Sequence, residues 1–130
     1  MWPFSRRCDA TELLGRRGEK LAAAMLKRVG VKVLATNYRC PAGEVDIIAL
    51  DRSGGGAGTV VFVEVKTRTS DRYTDPQAAV DADKQRRIRS VAKYYLGSRD
   101  TRGFAVRFDV VAIVAQHAGP PRVTHIPDAF

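Results

Sequence analysis

Cysteine and histidine are scarce in this 130-residue chain, at two each, and their spacing excludes two classes of structure. Cys8, Cys40, His117 and His125 form neither the paired spacing of a zinc site nor a disulfide framework. Both cysteines therefore read as reduced thiols with structural roles or none. Long apolar runs are also missing. No stretch approaches the roughly 20 residues that cross a bilayer, and the arginines of MWPFSRRCDAT lack the following apolar core of a signal peptide. The expectation is a cytoplasmic protein with no membrane partner. Acidic residues are in deficit: 14 Asp and Glu against 22 Lys and Arg leave a formal charge of +8 and a pI near 10.0. A positive field of that size favours polyanions, nucleic acid first among them.

What is present is ordinary for a globular chain. It is 45% hydrophobic and 28% charged, which argues against wholesale disorder, and the length suits one domain. Residues 1–10 are expected to be loosely ordered, and 11–130 to form the domain. Thr11 is a candidate cap for a helix over Glu12 to Val29, where Leu14, Leu21, Ala22, Ala23, Ala24 and Met25 recur at helical spacing and Gly30 marks a stop. A short strand is predicted over Val31 to Tyr38, a turn over Asn37 to Gly43, and a second strand over Gly43 to Leu50. The Gly-rich stretch Asp51 to Thr59 then joins it, as a hairpin, to a third strand over Val60 to Arg68. Thr69 to Pro76 reads as a polar turn with Tyr73 outward, and Pro76 to Val80 as a helical turn. A second helix is predicted from Asp81 or Asp83 through Leu96, ending at Gly97, with Ile88, Val91, Ala92, Tyr95 and Leu96 as its core stripe. Strands over Arg107 to Val114 and Arg122 to Ile126 follow, the last at an edge because prolines flank it.

The third strand carries the chemistry. In VVFVEVKTR, Val61, Val63 and Val65 point to one face and Glu64, Lys66 and Arg68 to the other. Charges embedded in an apolar strand need partners, because unpaired buried charge is costly. The second strand, GEVDIIAL, adds acids of its own: parity groups Glu44 and Asp46 with Ile48 and Leu50, and Val45 with Ile47 and Ala49. A hairpin symmetric about Gly55 sets Asp46 opposite Glu64 and Glu44 opposite Lys66, at Cβ separations of about 5 Å. Two carboxylates at that distance repel unless a cation lies between them. Hard oxygen ligands suit Mg²⁺ or Mn²⁺, not zinc. Glu19, which stacks at helical spacing with Gly15, Ala22, Ala23 and Leu26, is either an edge-of-core acid or a third carboxylate of that centre. On the second helix, Lys84, Arg86, Arg87, Arg89 and Lys93 form an almost wholly positive face, read either as solvated or as a phosphate-contacting surface.

With these motifs in hand, the sequence resembles a known family. GEVDIIAL followed by VVFVEVKTR resembles the Asp…Glu-x-Lys signature of the PD-(D/E)XK nuclease superfamily, whose restriction-endonuclease-like fold also serves Holliday junction resolvases. NYRCPAGEVDIIA, FVEVKTR, RFDVVAI and HIPDAF together resemble the YraN family of small bacterial proteins, over about Gly15 to Phe130. The superfamily's Pro before the Asp is absent, Val45 standing there. The resemblance implies an α/β fold with a restriction-endonuclease-like mixed central sheet flanked by helices. It implies Asp46 and Glu64 as metal-binding carboxylates, the Val65 carbonyl as a further ligand, Lys66 as the catalytic lysine and Glu19 as the helix-borne acid. Arg68 and Gln85 become candidates for phosphate or metal-water contacts, and a homodimer is suggested by the related resolvases.

Three functions fit these residues. The first is a Mg²⁺- or Mn²⁺-dependent endonuclease hydrolysing phosphodiester bonds in DNA, with selectivity for substrate structure as an option. The second is a non-catalytic nucleic-acid-binding protein on the same scaffold. The third is an interaction domain in which the acids and Lys66 form a buried structural ion-pair network.

Overall fold

The computed structural model describes residues 10–68, 80–116 and 118–130, with side chains from Gly15 onward in the first helix. The expected loose segment over 1–9, the turns between Thr69 and Val80, the cap and core side chains at Thr11 and Leu14, Cys8 and His117 lie outside the described residues. The elements are α1 (Ala10–Arg28), β1 (Lys32–Cys40), β2 (Gly43–Asp51), β3 (Thr59–Arg68), α2 (Ala82–Gly97), β4 (Ala105–Val114) and β5 (Arg122–Ile126). The strands form one sheet in the order β1-β2-β3-β4-β5. β3 and β4 are parallel, joined by the segment that carries α2, and the other neighbours are antiparallel. This is the α/β architecture expected, a mixed central sheet flanked by helices.

Each face of the sheet builds its own core. On the α1 face, Ala22 and Leu26 pack against Val31, Ile47, Ala49, Val61, Val63, Val111 and Ile113. On the α2 face, Ile88, Val91, Ala92 and Tyr95 pack against Val45, Ile48, Val60, Phe62, Phe108 and Val110. β3 thus alternates as its sequence requires, and every residue from Val60 to Glu64 is buried. The helices end where their chemistry stops them. Asp81 caps α2, its carboxylate accepting the Lys84 N–H at 2.8 Å. Gly30 (φ 87°) closes α1 with paired bonds, Val31 N–H to Leu26 O and Gly30 N–H to Lys27 O, while Val31 packs in the same cluster as Leu26. α1 starts at Ala10, so Thr11 lies within the helix and not at its cap.

The β2–β3 hairpin keeps the symmetric register, with Ile47 opposite Val63 and Asp51 opposite Thr59. β1 runs on to Cys40, so the turn before β2 is only Pro41 and Ala42, shorter than predicted. Strict parity fails in two places. At the first, the β1–β2 register shifts between Val33 and Ala35, and Val33 packs on the α1 face while Ala35 packs on the α2 face. At the second, Ala35 and Tyr38, three residues apart, both pack on the α2 face, as do Val45 and Ile48. Between them lie Asn37, at φ 51°, and Asp46, flanked by the partner pairs Thr36–Ile47 and Tyr38–Val45, whose register is the same on both sides. An asparagine tolerates the left-handed region, and the side chains change face there with no extra residue in either strand. Val45 accordingly leaves the side of Ile47 and Ala49 where alternation had put it.

Candidate active site

The change of face at Asp46 positions the site. The last partnered residues of the β2–β3 ladder are Ile47 and Val63. Beyond them the Asp46 carboxylate reaches across, its Oδ2 accepting the Val65 N–H at 2.8 Å. The expected pairing of Glu44 with Lys66 does not form: Glu44 faces Arg39 of β1 in the ladder and pairs with its Nε at 3.2 Å. A turn of two residues holds these ends of β1 and β2 together, while the β2–β3 ladder has already opened.

Glu64 projects from β3 on the α2 side and is only 4% exposed. Two ammonium groups meet its Oε2, Lys84 Nζ at 3.2 Å and Lys66 Nζ at 3.7 Å. Burial, followed by the nearby Asp46 charge, nevertheless pushes its carboxyl up to about 7, with the two lysines opposing. Glu19 approaches from the α1 side. Its carboxyl is likewise raised, by burial and then by the charges of Asp46 and Glu44, while a hydrogen bond with Asn37 opposes the shift. Asp46 therefore couples electrostatically to an acid on each face of the sheet.

Close packing brings α1 to this position. A Cβ on Gly18 would lie 2.3 Å from Thr67 Cγ2 and 3.3 Å from Ile113 Cδ1, so only glycine allows the helix to rest this near β3. Glu19 is the next residue along.

The acids brought to this end of the strands are Asp46 and Glu64, whose carboxylates are hard oxygens suited to Mg²⁺ or Mn²⁺. Glu64 and Asp46 carry mutually repelling charge in a buried setting, the condition a divalent ion relieves. Among the described residues, no three His, Cys, Asp or Glu side chains converge into a ready-made metal cage; the nearest cation to Glu64 is Lys84.

The basic residues of α2 divide by partner. Lys84 turns to Glu64. Gln85 donates through Nε2 to Val80 O at 2.9 Å. Arg86 pairs with Asp83, and Arg89 lies over the rings of Phe108 (4.7 Å) and Phe130 (5.6 Å). Arg87 is exposed, as is Arg68 at the end of β3.

A second polar cluster, which sequence reading missed, gathers around β4, where Asp109 partners Val63 of β3. Asp109 is fully buried and accepts from Arg107 Nε (2.8 Å) and Nη2 (2.9 Å) and from Asp128 N–H (3.0 Å); His125 Nε2 lies 2.7 Å from its Oδ2. Arg107 Nη1 also donates to Asp51 at 3.0 Å. Burial alone would raise the Asp109 carboxyl; the hydrogen bonds from His125, Arg107 and Asp128 outweigh it and hold the group low. The signal was available: RFDVVAIV embeds charge in an apolar strand just as VVFVEVKTR does.

No helix among the described residues is long and apolar enough to cross a membrane. A solved structure, Pyrococcus furiosus SfsA in complex with Ca²⁺, shares 15% identity at a TM-score of 0.34, over 89% of this chain and 63% of that one. Sequence relatives are much nearer. A UPF0102 protein of Syntrophus aciditrophicus is 47% identical over 116 residues, 89% of this chain and 87% of the relative. One from Geobacter sulfurreducens is 44% identical over 128 residues, covering 98% and 96%. One from Moorella thermoacetica is 48% identical over 99 residues, covering 76% and 78%. The model of Uncharacterised protein family UPF0102 matches residues 18–113, a span that holds Glu19, Asp46, Glu64 and Lys66, and the chain belongs to that family.

Proposed function

We propose that this protein is a Mg²⁺- or Mn²⁺-dependent nuclease that hydrolyses phosphodiester bonds in DNA, on a restriction-endonuclease-like scaffold of the PD-(D/E)XK type. The observation that carries the reading is the buried Glu64 carboxyl, raised to about 7 beside Asp46, with two lysine ammonium groups on its Oε2. Active sites arrange burial and neighbouring charge to shift proton affinity, so an acid perturbed in this way is a functional-site candidate. In this reading Asp46 and Glu64 hold the ion, the Val65 carbonyl assists, and Glu19 adds negative charge from the α1 side. A bound divalent ion neutralises charge on the phosphate and lowers the pKa of a coordinated water. Lys66 orients the attacking water and stabilises the charge that develops on the phosphate oxygens. Arg68, Arg87 and the other cations of α2 position the strand.

The test is incubation of the purified protein with branched, single-stranded and duplex DNA in Mg²⁺ or Mn²⁺. Cleavage that disappears with Asp46→Asn supports the reading; cleavage that survives it assigns the activity elsewhere.

A second reading has its own support. The Lys84 ammonium already neutralises Glu64 at 3.2 Å, as a non-catalytic nucleic-acid-binding protein on this scaffold would need. That protein binds DNA in a salt-sensitive way, cuts nothing in any divalent ion, and binds equally well after Lys66→Ala.

A further inference from the structure

A cleft of about 460 Å³ opens beside the acidic centre, walled by Arg39, Cys40, Gly43 and Glu44 on the β1–β2 side and by Lys84 and Arg87 on α2. Its charge is unbalanced: three cations face one carboxylate, Glu44, which Arg39 already meets. Lys84 and Arg87 are three residues apart and so share one face of the helix. Among the described residues Arg87 enters no ion pair, unlike Arg86 with Asp83, and it is free to meet a ligand anion.

Lys84 belongs to two places at once. Its side chain forms part of the cleft wall, and its ammonium rests 3.2 Å from Glu64 Oε2, closer than Lys66 at 3.7 Å. About a third of the side chain is exposed (34%). A lysine ammonium is a compact charge on a flexible stem, so it can exchange one oxyanion for another.

We infer that the cleft is a subsite for the phosphate backbone of a DNA strand, and that Lys84 couples its occupancy to the acidic centre by exchanging Glu64 for a strand phosphate. The inference rests on the proposed nuclease reading. Without DNA, the Lys84 ammonium occupies Glu64 and competes with a divalent ion. A phosphate in the cleft draws the ammonium away, leaving Glu64 and Asp46 to be neutralised by the ion. Linkage makes the effect mutual: DNA tightens metal binding by the same factor as metal tightens DNA binding.

The test measures Mn²⁺ binding to the full chain by calorimetry, with and without a cleavage-resistant phosphorothioate single strand of about ten nucleotides. The oligonucleotide is expected to tighten Mn²⁺ about 10-fold. Arg87→Ala and Arg39→Ala, at exposed positions, weaken oligonucleotide binding measured without metal and remove the tightening. Lys84→Met, checked for folding by thermal unfolding, binds Mn²⁺ tightly alone and gains nothing from DNA. Equal Mn²⁺ affinity with and without DNA in the unaltered protein overturns the coupling, as does oligonucleotide binding unchanged by Arg87→Ala. Inorganic phosphate that matches the oligonucleotide at equal phosphate concentration overturns the strand as ligand. If neither the unaltered protein nor any variant binds Mn²⁺, the nuclease reading itself falls; if Mn²⁺ binds but is indifferent to DNA, only the subsite does.

Discussion

Asp46 accepts the Val65 backbone N–H at 2.8 Å, so a side chain of β2 supplies to β3 a bond that a strand carbonyl ordinarily makes. The ladder's last partnered residues are Ile47 and Val63, and Glu64, the residue after Val63, is the buried acid of the site. Opening the ladder at this point leaves a carboxylate on each side of the gap, held by main-chain geometry and not by flexible side-chain contacts alone.

Asp46→Asn keeps an oxygen that can accept from Val65 but removes the charge. It should cut metal-dependent DNA cleavage by about 100-fold or more, the range seen when one preorganised electrostatic group is lost. It should also bring the Glu64 carboxyl down from about 7 towards 4.5, because Asp46 is one of the causes of the rise. A carbon-detected NMR titration of Glu64 measures the second effect independently of activity.

Glu64 also predicts the slope of stability against pH. Its carboxyl titrates near 4.5 when unfolded and about 7 when folded, so between those values the folded state holds a proton the unfolded state has released. Stability from this group is therefore fully present below about pH 4.5 and lost as pH rises through about 7, a loss of about 3 kcal/mol. Urea denaturation at about pH 5 and pH 8 should show the fall, and Glu64→Gln should flatten it. Mn²⁺ should raise the melting temperature more at the higher pH, where the carboxylate is ionised.

Gly18→Ala is expected to destabilise despite the better helix propensity of alanine, worth about 1 kcal/mol. The new Cβ would lie 2.3 Å from Thr67 Cγ2, and a β-branched side chain on a strand is stiff. Overpacking of this kind costs about 1–3 kcal/mol. Thr67→Ser removes the obstructing methyl, so the double variant should recover part of the loss in a denaturant series.

Asp109→Asn should cost about 3 kcal/mol or more, because it removes the charge that Arg107 and His125 share in a buried setting. Asp109 is held low, and Asp51 is held at about 2, by Ser53 first and then Arg107. Their stabilisation is present above the ordinary carboxylate range and is lost as pH falls through those lowered values. Acid unfolding of Asp109→Asn should therefore begin from a less stable state and show a shallower slope.

Much of this was legible in the residues. Prolines on either side bounded β5 at Arg122 and Ile126, and the stripe Ile88, Val91, Ala92, Tyr95 on α2 is the buried one. The hairpin register followed from a Gly-rich loop centred on Gly55. The change of face at Asn37 and Asp46 was not legible, because alternation assumes an unbroken pleat and only an asparagine marks the break. Helical spacing grouped Lys84 with Arg86, Arg87 and Arg89 as one face, yet it carries no information on which tertiary partner each one meets. The Asp109 cluster joins β2, β4 and the chain after β5, a convergence that local pattern cannot express.

The sheet otherwise acts as a partition between two cores that do not mix. At the change of face beside Asn37 it has a window, and Asp46 stands in it. Glu64 on one side and Glu19 on the other both feel the Asp46 charge, so α1 and α2 are wired into the same electrostatic circuit.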